Sequence, residues 1–378
     1  MNPRHVLLVD SSGYEDLGGA STVLDEVIRR VDRTRYVPVL ACLSPGRWPE
    51  QVRAAGTSAY SFPRTRLRSP ANVLKIASSL AGVVRAERVD LIHASENSAL
   101  LYAALAGRMA SKPVVWHIHS PLNARSRAER VVAFLLRRLP PAHLVFTSPG
   151  TAAKTMPFGR VPSSVVFPGV DVERASRGDG GRARRELGLP PDVPIVSTFA
   201  RVEPMKGQAD LVRAVGLLGN DHADLHVVMC GPGDRNSPYR RHVDELSVAF
   251  HLEDRVVMPG DVRSPLKEDI VAASDVVAHP SHAEAFGLAV LEAMAAGKAV
   301  VAAATDGPTL LIEDDVSGVL VPPGDVERLA AAIDRLLDDP SERRRLGEEA
   351  ARAARRYRVE DMVPRIEHIW DEVLGPTS

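Results

Sequence analysis

Short runs of β-branched and other apolar residues alternate along this chain with longer stretches in which apolar positions recur every three or four residues. In the first half the strand-like runs fall at 5–9, 36–42, 90–93, 114–119 and 144–147, with helical patterns after Gly19 and at 98–109. Strand, helix and strand in that rhythm specify parallel pairing, because each strand must be brought back to the same end of the sheet by a crossover. The rhythm pauses after Pro168-Gly169-Val170-Asp171, where an Arg/Gly-rich stretch from 174 to 185 reads as part of a linker spanning 172–192. It then starts again, with runs at 195–200, 225–230, 256–259, 276–279 and 299–302 and helical patterns at 208–219, 239–250 and 288–296. The expected fold class is α/β, with two Rossmann-like, doubly wound parallel-sheet domains facing a central cleft. We place the domains at 1–171 and 172–358.

The stretch 359–374 carries Met362, Ile366, Ile369, Trp370 and Val373 at helical spacing, so it needs a surface to bury them. It either packs on the second domain or crosses back so that 359–378 joins the first. Ligands of doubly wound sheets bind beyond the carboxyl ends of the strands, so strand-end loops are where chemistry is sought.

A length of 378 residues suits two self-sufficient cores. Lys and Arg number 47 against 48 Asp and Glu, a balance that argues against a nucleic-acid partner. Cys42 and Cys230 lie far apart in apolar runs, which suits buried free thiols in a reducing compartment and excludes a disulfide scaffold. No stretch approaches the roughly 18 uninterrupted apolar residues of a membrane span. Cytoplasmic placement is expected, at the inner face of the plasma membrane if a lipid contact exists.

Motifs of ATPases, serine hydrolases, zinc proteases and three-glycine dinucleotide sites are absent. So is the Asp-x-Asp pair that signals a metal-held nucleotide diphosphate, and no metal site is expected. Several strand-end loops have features that suit an anion. Gly18-Gly19 precedes an amphipathic helix, where backbone N–H groups can approach a phosphate, although such a pair also serves as an ordinary turn. Arg201 and Lys206 flank one loop and can both reach a diphosphate, or be a solvated surface pair. Lys206 stands out because the chain has six lysines beside 41 arginines, a bias that fits a GC-rich bacterial genome. Gly231, in Cys230-Gly231-Pro232-Gly233-Asp234, permits a tight turn near a ligand.

The sharpest stretch runs from Ser281 to Gly297. Glu284 lies in a loop, a helix begins near Gly287, and Glu292 sits inside it among Leu291, Ala293, Met294 and Ala295. An unpartnered carboxylate in that apolar setting is costly. The N–H groups of Phe286, Gly287, Leu288 and Ala289 would face an anion with the helix dipole in support.

Glu-x7-Glu in this setting, preceded by Ala200-Arg201-Val202-Glu203-Pro204-Met205-Lys206-Gly207, by the Cys230–Asp234 loop and by Pro168-Gly169-Val170-Asp171, resembles the retaining GT-B glycosyltransferases of family four. Ser317-Gly318-Val319-Leu320-Val321-Pro322 follows in the same order. The resemblance covers most of 165–340 and is looser in the first half, through Gly18-Gly19 and Trp116-His117-Ile118-His119.

It implies a nucleoside-diphosphate sugar as donor, UDP-linked by preference, with no further cofactor. Arg201 and Lys206 would neutralise the diphosphate in place of a metal, aided by N–H groups at Gly18, Gly19 and 286–289. Glu292 would grip the ribose, Glu284 a hydroxyl of the transferred sugar, and the Asp261-Val262 turn the base. His119 would face the sugar, with His117 on the opposite face of its strand. The leaving phosphate would help deprotonate the acceptor hydroxyl. The loop at Thr305-Asp306-Gly307-Pro308-Thr309 departs from the family pattern and nothing is carried onto it.

The acceptor is open among a surface polysaccharide, a glycolipid and a natural product such as an aminocyclitol antibiotic. Residues 124–139 are basic and apolar by turns, with Arg64, Arg66 and Arg68 as a second cluster. They form either a packing helix with solvated arginines or a weak contact with anionic lipid. Two other functions remain open, a nucleotide-sugar 2-epimerase or hydrolase of the same fold and a non-catalytic nucleotide-sugar-binding protein.

Overall fold

The computed structural model describes residues 2–11, 18–63, 69–123, 126–219 and 221–375. The chain divides into one unit of Met1–Gly169 with Val359–Ser378 and a second of Val170–Arg358.

The strands of the first unit are β1 (Arg4–Asp10), β2 (Tyr36–Cys42), β3 (Ala59–Ser61), β4 (Leu91–Ser95), β5 (Val114–Ile118), β6 (His143–Phe146) and β7 (Ser163–Val165). They form a parallel sheet of order β3-β2-β1-β4-β5-β6-β7. The second unit holds β8 (Ile195–Phe199), β9 (His226–Cys230), β10 (Val256–Gly260), β11 (Val276–His279), β12 (Ala299–Ala303) and β13 (Val319–Val321). Its parallel order is β10-β9-β8-β11-β12-β13. Both sheets are doubly wound, and the winding reverses between β1 and β4 and between β8 and β11.

The central strands are buried on both faces, as a parallel sheet covered by helices requires. Val6, Leu7, Leu8 and Val9 of β1 are all fully buried, as are Val300, Val301 and Ala302 of β12. Cys42 and Cys230 are free and buried. Three of the short edge strands, β3, β7 and β13, carry too few residues to give a period and escape a reading of the sequence alone.

The stretch expected to be a linker is instead two helices, Val172–Ala175 and Gly180–Leu187, within the second unit. Arg182 supplies the reason. Its guanidinium holds the fully buried Asp269 through Nε at 2.5 Å and Nη2 at 2.7 Å, and the Asp179 N–H donates to the same carboxylate at 2.7 Å. The closing helix, Val359–Leu374, belongs to the first unit. Its Trp370 is fully buried, edge-on to Tyr36 with ring centroids 5.1 Å apart.

Candidate functional site

In the second unit the chemistry collects where the winding reverses. The loop after β8 carries Arg201 and Lys206, and the loop after β11 carries Glu284. Two contacts zip these loops together. The His282 N–H donates to the Met205 carbonyl at 2.9 Å. Gly207, at φ +70°, lies so near that an added Cβ would come within 2.2 Å of the Pro280 carbonyl oxygen. Only glycine fits there. The zip sets the Lys206 ammonium 2.8 Å from Glu284 Oε2, with both side chains mostly buried.

The same oxygen meets His279 Nε2 at 3.2 Å, and Ser281 Oγ lies 3.1 Å from that nitrogen. Burial opposes ionisation of Glu284, but the hydrogen bonds and charges of His279 and Lys206 outweigh it and hold its pKa at about 2. It is therefore a fixed anion and hydrogen-bond acceptor near neutral pH. Arg201 stands apart from this group, 63% exposed and 3.1 Å from Glu203.

Gly231 lines a small pocket with Val202, Gly233, Asp234 and Met258. At φ +148° an added Cβ would sit 1.9 Å from the Ala200 carbonyl oxygen, so the turn closes only with glycine. Val262 is half-buried in the turn after β10, where Arg263 pairs with Asp261 at 3.3 Å.

The helix Leu288–Ala295 begins as the sequence predicts, with Gly287 as its N-cap. Phe286 and Gly287 are buried, while Leu288 and Ala289 are partly exposed. The Thr305–Thr309 loop braces this turn, since the Gly307 N–H donates to the Glu284 carbonyl at 2.9 Å.

Glu292 is not an unpartnered carboxylate in an apolar setting. Its Oε2 lies 2.5 Å from the Lys267 ammonium, and both line a pocket with Asp171, Arg174 and Val271. Neither Lys267 nor His279 belongs to a motif that marks it in the sequence. The scarcity of lysine that marked Lys206 applies equally to Lys267, since each of these two lysines holds one glutamate of the Glu-x7-Glu pair.

In the first unit, Gly18 caps the helix Gly19–Arg30, and both glycines are exposed. His119 follows β5, half-buried, with its Nε2 2.9 Å from Ser95 Oγ. His117 does not point to the opposite face. Side chains two residues apart on a strand share a face, and the two rings lie 4.2 Å apart at an interplanar angle of 31°. Burial pushes the pKa of His119 down to about 3, with the nearby His93 adding to the effect.

The basic stretch forms the helix Arg127–Arg138, started by a Ser126–Glu129 capping box. Ala133 and Leu136 are buried, whereas Val131, Phe134 and Leu135 are exposed. Arg64, Arg66, Arg68, Ala124 and Arg125 lie outside the described residues. Among the described residues no helix is long and apolar enough to cross a membrane.

Comparison with known proteins identifies the family and the fold. A family model described as Glycosyltransferase Family 4 matches residues 17–174, and one described as Glycosyl transferases group 1 matches 181–353. A D-inositol 3-phosphate glycosyltransferase of Acidothermus cellulolyticus is 29% identical over 98% of this chain and 89% of its own length. One from Salinispora tropica is 38% identical over 56% of this chain. In that match and several similar ones, the chain spans about half the length of the curated relative. The crystal structure of Anabaena HepE in complex with UDP and glucose superposes with a TM-score of 0.85 at 26% identity, over 98% of this chain and 100% of that one. Sucrose-phosphate synthase of Thermosynechococcus elongatus, at 19% identity, shares the fold with a TM-score of 0.78 over 99% of this chain and 100% of its own. With both halves of the chain matched in order and both doubly wound sheets in place, the chain belongs to the GT-B glycosyltransferases of family 4.

Proposed function

We propose that this protein is a retaining hexosyltransferase that moves a sugar from a nucleoside-diphosphate sugar, UDP-linked by preference, to an acceptor hydroxyl. The observation that carries this reading is the matching of two glutamates with two lysines at the reversal point of the second sheet. Residues 172–358 would bind the donor, and 1–171 with the closing helix would read the acceptor.

Lys206 and the exposed Arg201 supply the positive charge that a departing diphosphate needs, in place of a metal ion. The N–H groups of residues 286–289 and the Gly231 turn would meet the phosphates. Glu292 accepts hydrogen bonds from the ribose hydroxyls, with Lys267 holding its carboxylate in place. Glu284, ionised and anchored, accepts from a hydroxyl of the transferred sugar, His119 faces that sugar, and Val262 meets the base. In the step itself the bond from C1 to the β-phosphate oxygen breaks, the acceptor oxygen bonds C1 on the same face, and the hydroxyl proton passes to the leaving phosphate. Glu284 takes no proton in this scheme, consistent with its low pKa.

The names of the relatives support a small phosphorylated polyol as the first acceptor to try, within bacterial glycan, glycolipid or natural-product biosynthesis. The exposed Val131, Phe134 and Leu135, flanked by Arg127, Arg130, Arg137 and Arg138, support a weak contact with anionic lipid at the inner face of the plasma membrane. Sedimentation with anionic vesicles tests it, and an unbound protein at low salt removes it.

The direct test of donor binding is a thermal-shift panel of UDP-, GDP-, dTDP- and ADP-sugars in the presence of chelator, on wild type and Glu292→Ala. A shift with one base that vanishes in the variant supports the reading. No shift with any donor overturns it. Product analysis with the responding donor separates transfer from 2-epimerisation, hydrolysis and binding without turnover.

A further inference from the structure

Two histidines and a tryptophan of the first unit form a buried polar chain that the proposed chemistry does not use, and the chain ends against His119, which that chemistry does use. His93 on β4 and His117 on β5 lie on neighbouring strands, and Trp370 reaches them from the closing helix. His93, His117 and Trp370 are each at most 1% exposed. Trp370 Nε1 lies 3.0 Å from His93 Nδ1, and His93 Nε2 lies 3.3 Å from His117 Nδ1. The ring of His117 then rests against that of His119.

The chain has a direction. An indole nitrogen can only donate, so His93 Nδ1 must be bare and its proton must sit on Nε2. That N–H donates to His117 Nδ1, which places the proton of His117 on Nε2. The reverse order would set two N–H groups against each other at His93, and a charged His93 would do the same. Burial lowers the pKa of both rings, that of His93 to about 3, which agrees with neutral imidazoles. The far end, His117 Nε2, is buried and has no hydrogen-bond partner among the described residues.

We propose that Trp370 is a positioning residue: by donating to His93 it fixes the tautomers of His93 and His117 and so holds a neutral, oriented imidazole against His119. The closing helix, distant in sequence, thereby sets the protonation pattern beside the strand end of β5. The effect on turnover rests on the proposed role of His119, whereas the tautomers can be read without any substrate.

The test is a long-range ¹H–¹⁵N correlation spectrum of the full chain carrying ¹⁵N-histidine, combined with kinetics. In the wild type, His93 and His117 should both appear as single Nε2–H tautomers that do not titrate across the neutral range. In Trp370→Phe both should become tautomer mixtures, with kcat down roughly tenfold and the donor KM within about twofold, the pattern of a misoriented group. His93→Gln, whose amide offers one acceptor and one donor, should keep His117 as Nε2–H and preserve turnover; His93→Leu should lose both. The second pair keeps the test sound if Trp370→Phe fails to fold. An Nδ1–H tautomer at His117 in the wild type overturns the proposal, as does His93→Leu with unchanged tautomer and kcat. A wild type with the expected tautomers but no transfer to any acceptor overturns the transferase reading alone.

Discussion

The two units share one winding, with a reversal between the first and fourth strand of each sheet, yet they fill it with opposite chemistry. At the reversal of the second sheet stand ion pairs, Lys206 with Glu284, while Glu292 is held by Lys267. In the first sheet, β4 and the neighbouring β5 carry neutral rings joined by directional hydrogen bonds, from Trp370 through His93 to His117. Both are solutions to burying polar groups where a parallel sheet would otherwise be apolar, and each works only because its members partner one another. Topology supplies the location in both units, and the side chains decide whether that location holds charge or hydrogen-bond polarity.

The comparison breaks most easily at the charged end. Lys206→Ala should lower the transfer rate by about 10²–10³-fold, the size seen when one stabilising donor is removed from a developing anion. Arg201→Ala should lower it by at least tenfold, again with an intact fold. Steady-state kinetics beside circular dichroism measure both, and near-normal turnover would remove the assigned roles. Arg182→Met probes the second unit away from the site. It leaves the buried Asp269 with only a backbone donor, so it should lower the stability of the second unit, read as a lower Tm. Hydrogen exchange should show the loss in Val170–Arg358 first.

Acid should separate the two chemistries. An unfolded histidine binds a proton near pH 6.5, whereas His93 and His119 resist protonation until about pH 3. Between those values the unfolded state holds more protons, so this contribution to stability falls as the pH drops. For Glu284 the window lies lower, because an unfolded glutamate titrates near 4.3 and the folded one at about 2. Its stabilisation is present above the higher value and lost on descent through the lower. Peptide-resolved exchange across an acid titration should therefore show β4 and β5 losing protection at a higher pH than the loop around Glu284, and simultaneous loss would contradict the contrast. The smallest effect belongs to the surface: Ser126→Ala removes the capping box of Arg127–Arg138 and should cost about 1 kcal/mol. Turnover with a soluble acceptor should not change.

Much of this was legible in the residues. The alternation of periods gave both parallel sheets, and Glu284 with Glu292 marked the loop and helix that frame the second unit's site. The pairing of those glutamates was not legible. Lys206 and Glu284 are separated by 78 positions, so nothing local brings them together. Glu292 read as an orphan because Lys267 lies in another helix, and the Arg/Gly-rich stretch read as a linker because its partner Asp269 lies 90 residues from Asp179. His117 was placed on the wrong face against the strand's own two-residue period, an error the structure corrects.

Backbone period and turn chemistry act over a few residues, so the sequence by itself determined the order of strands and helices and the loops that carry the motifs. Partnership of buried polar groups acts across space. Only the tertiary structure decided that each glutamate meets a lysine, and that Trp370, 277 residues beyond His93, sets where the histidine protons lie, because a buried polar atom is satisfied by whatever the fold brings within about 3 Å of it.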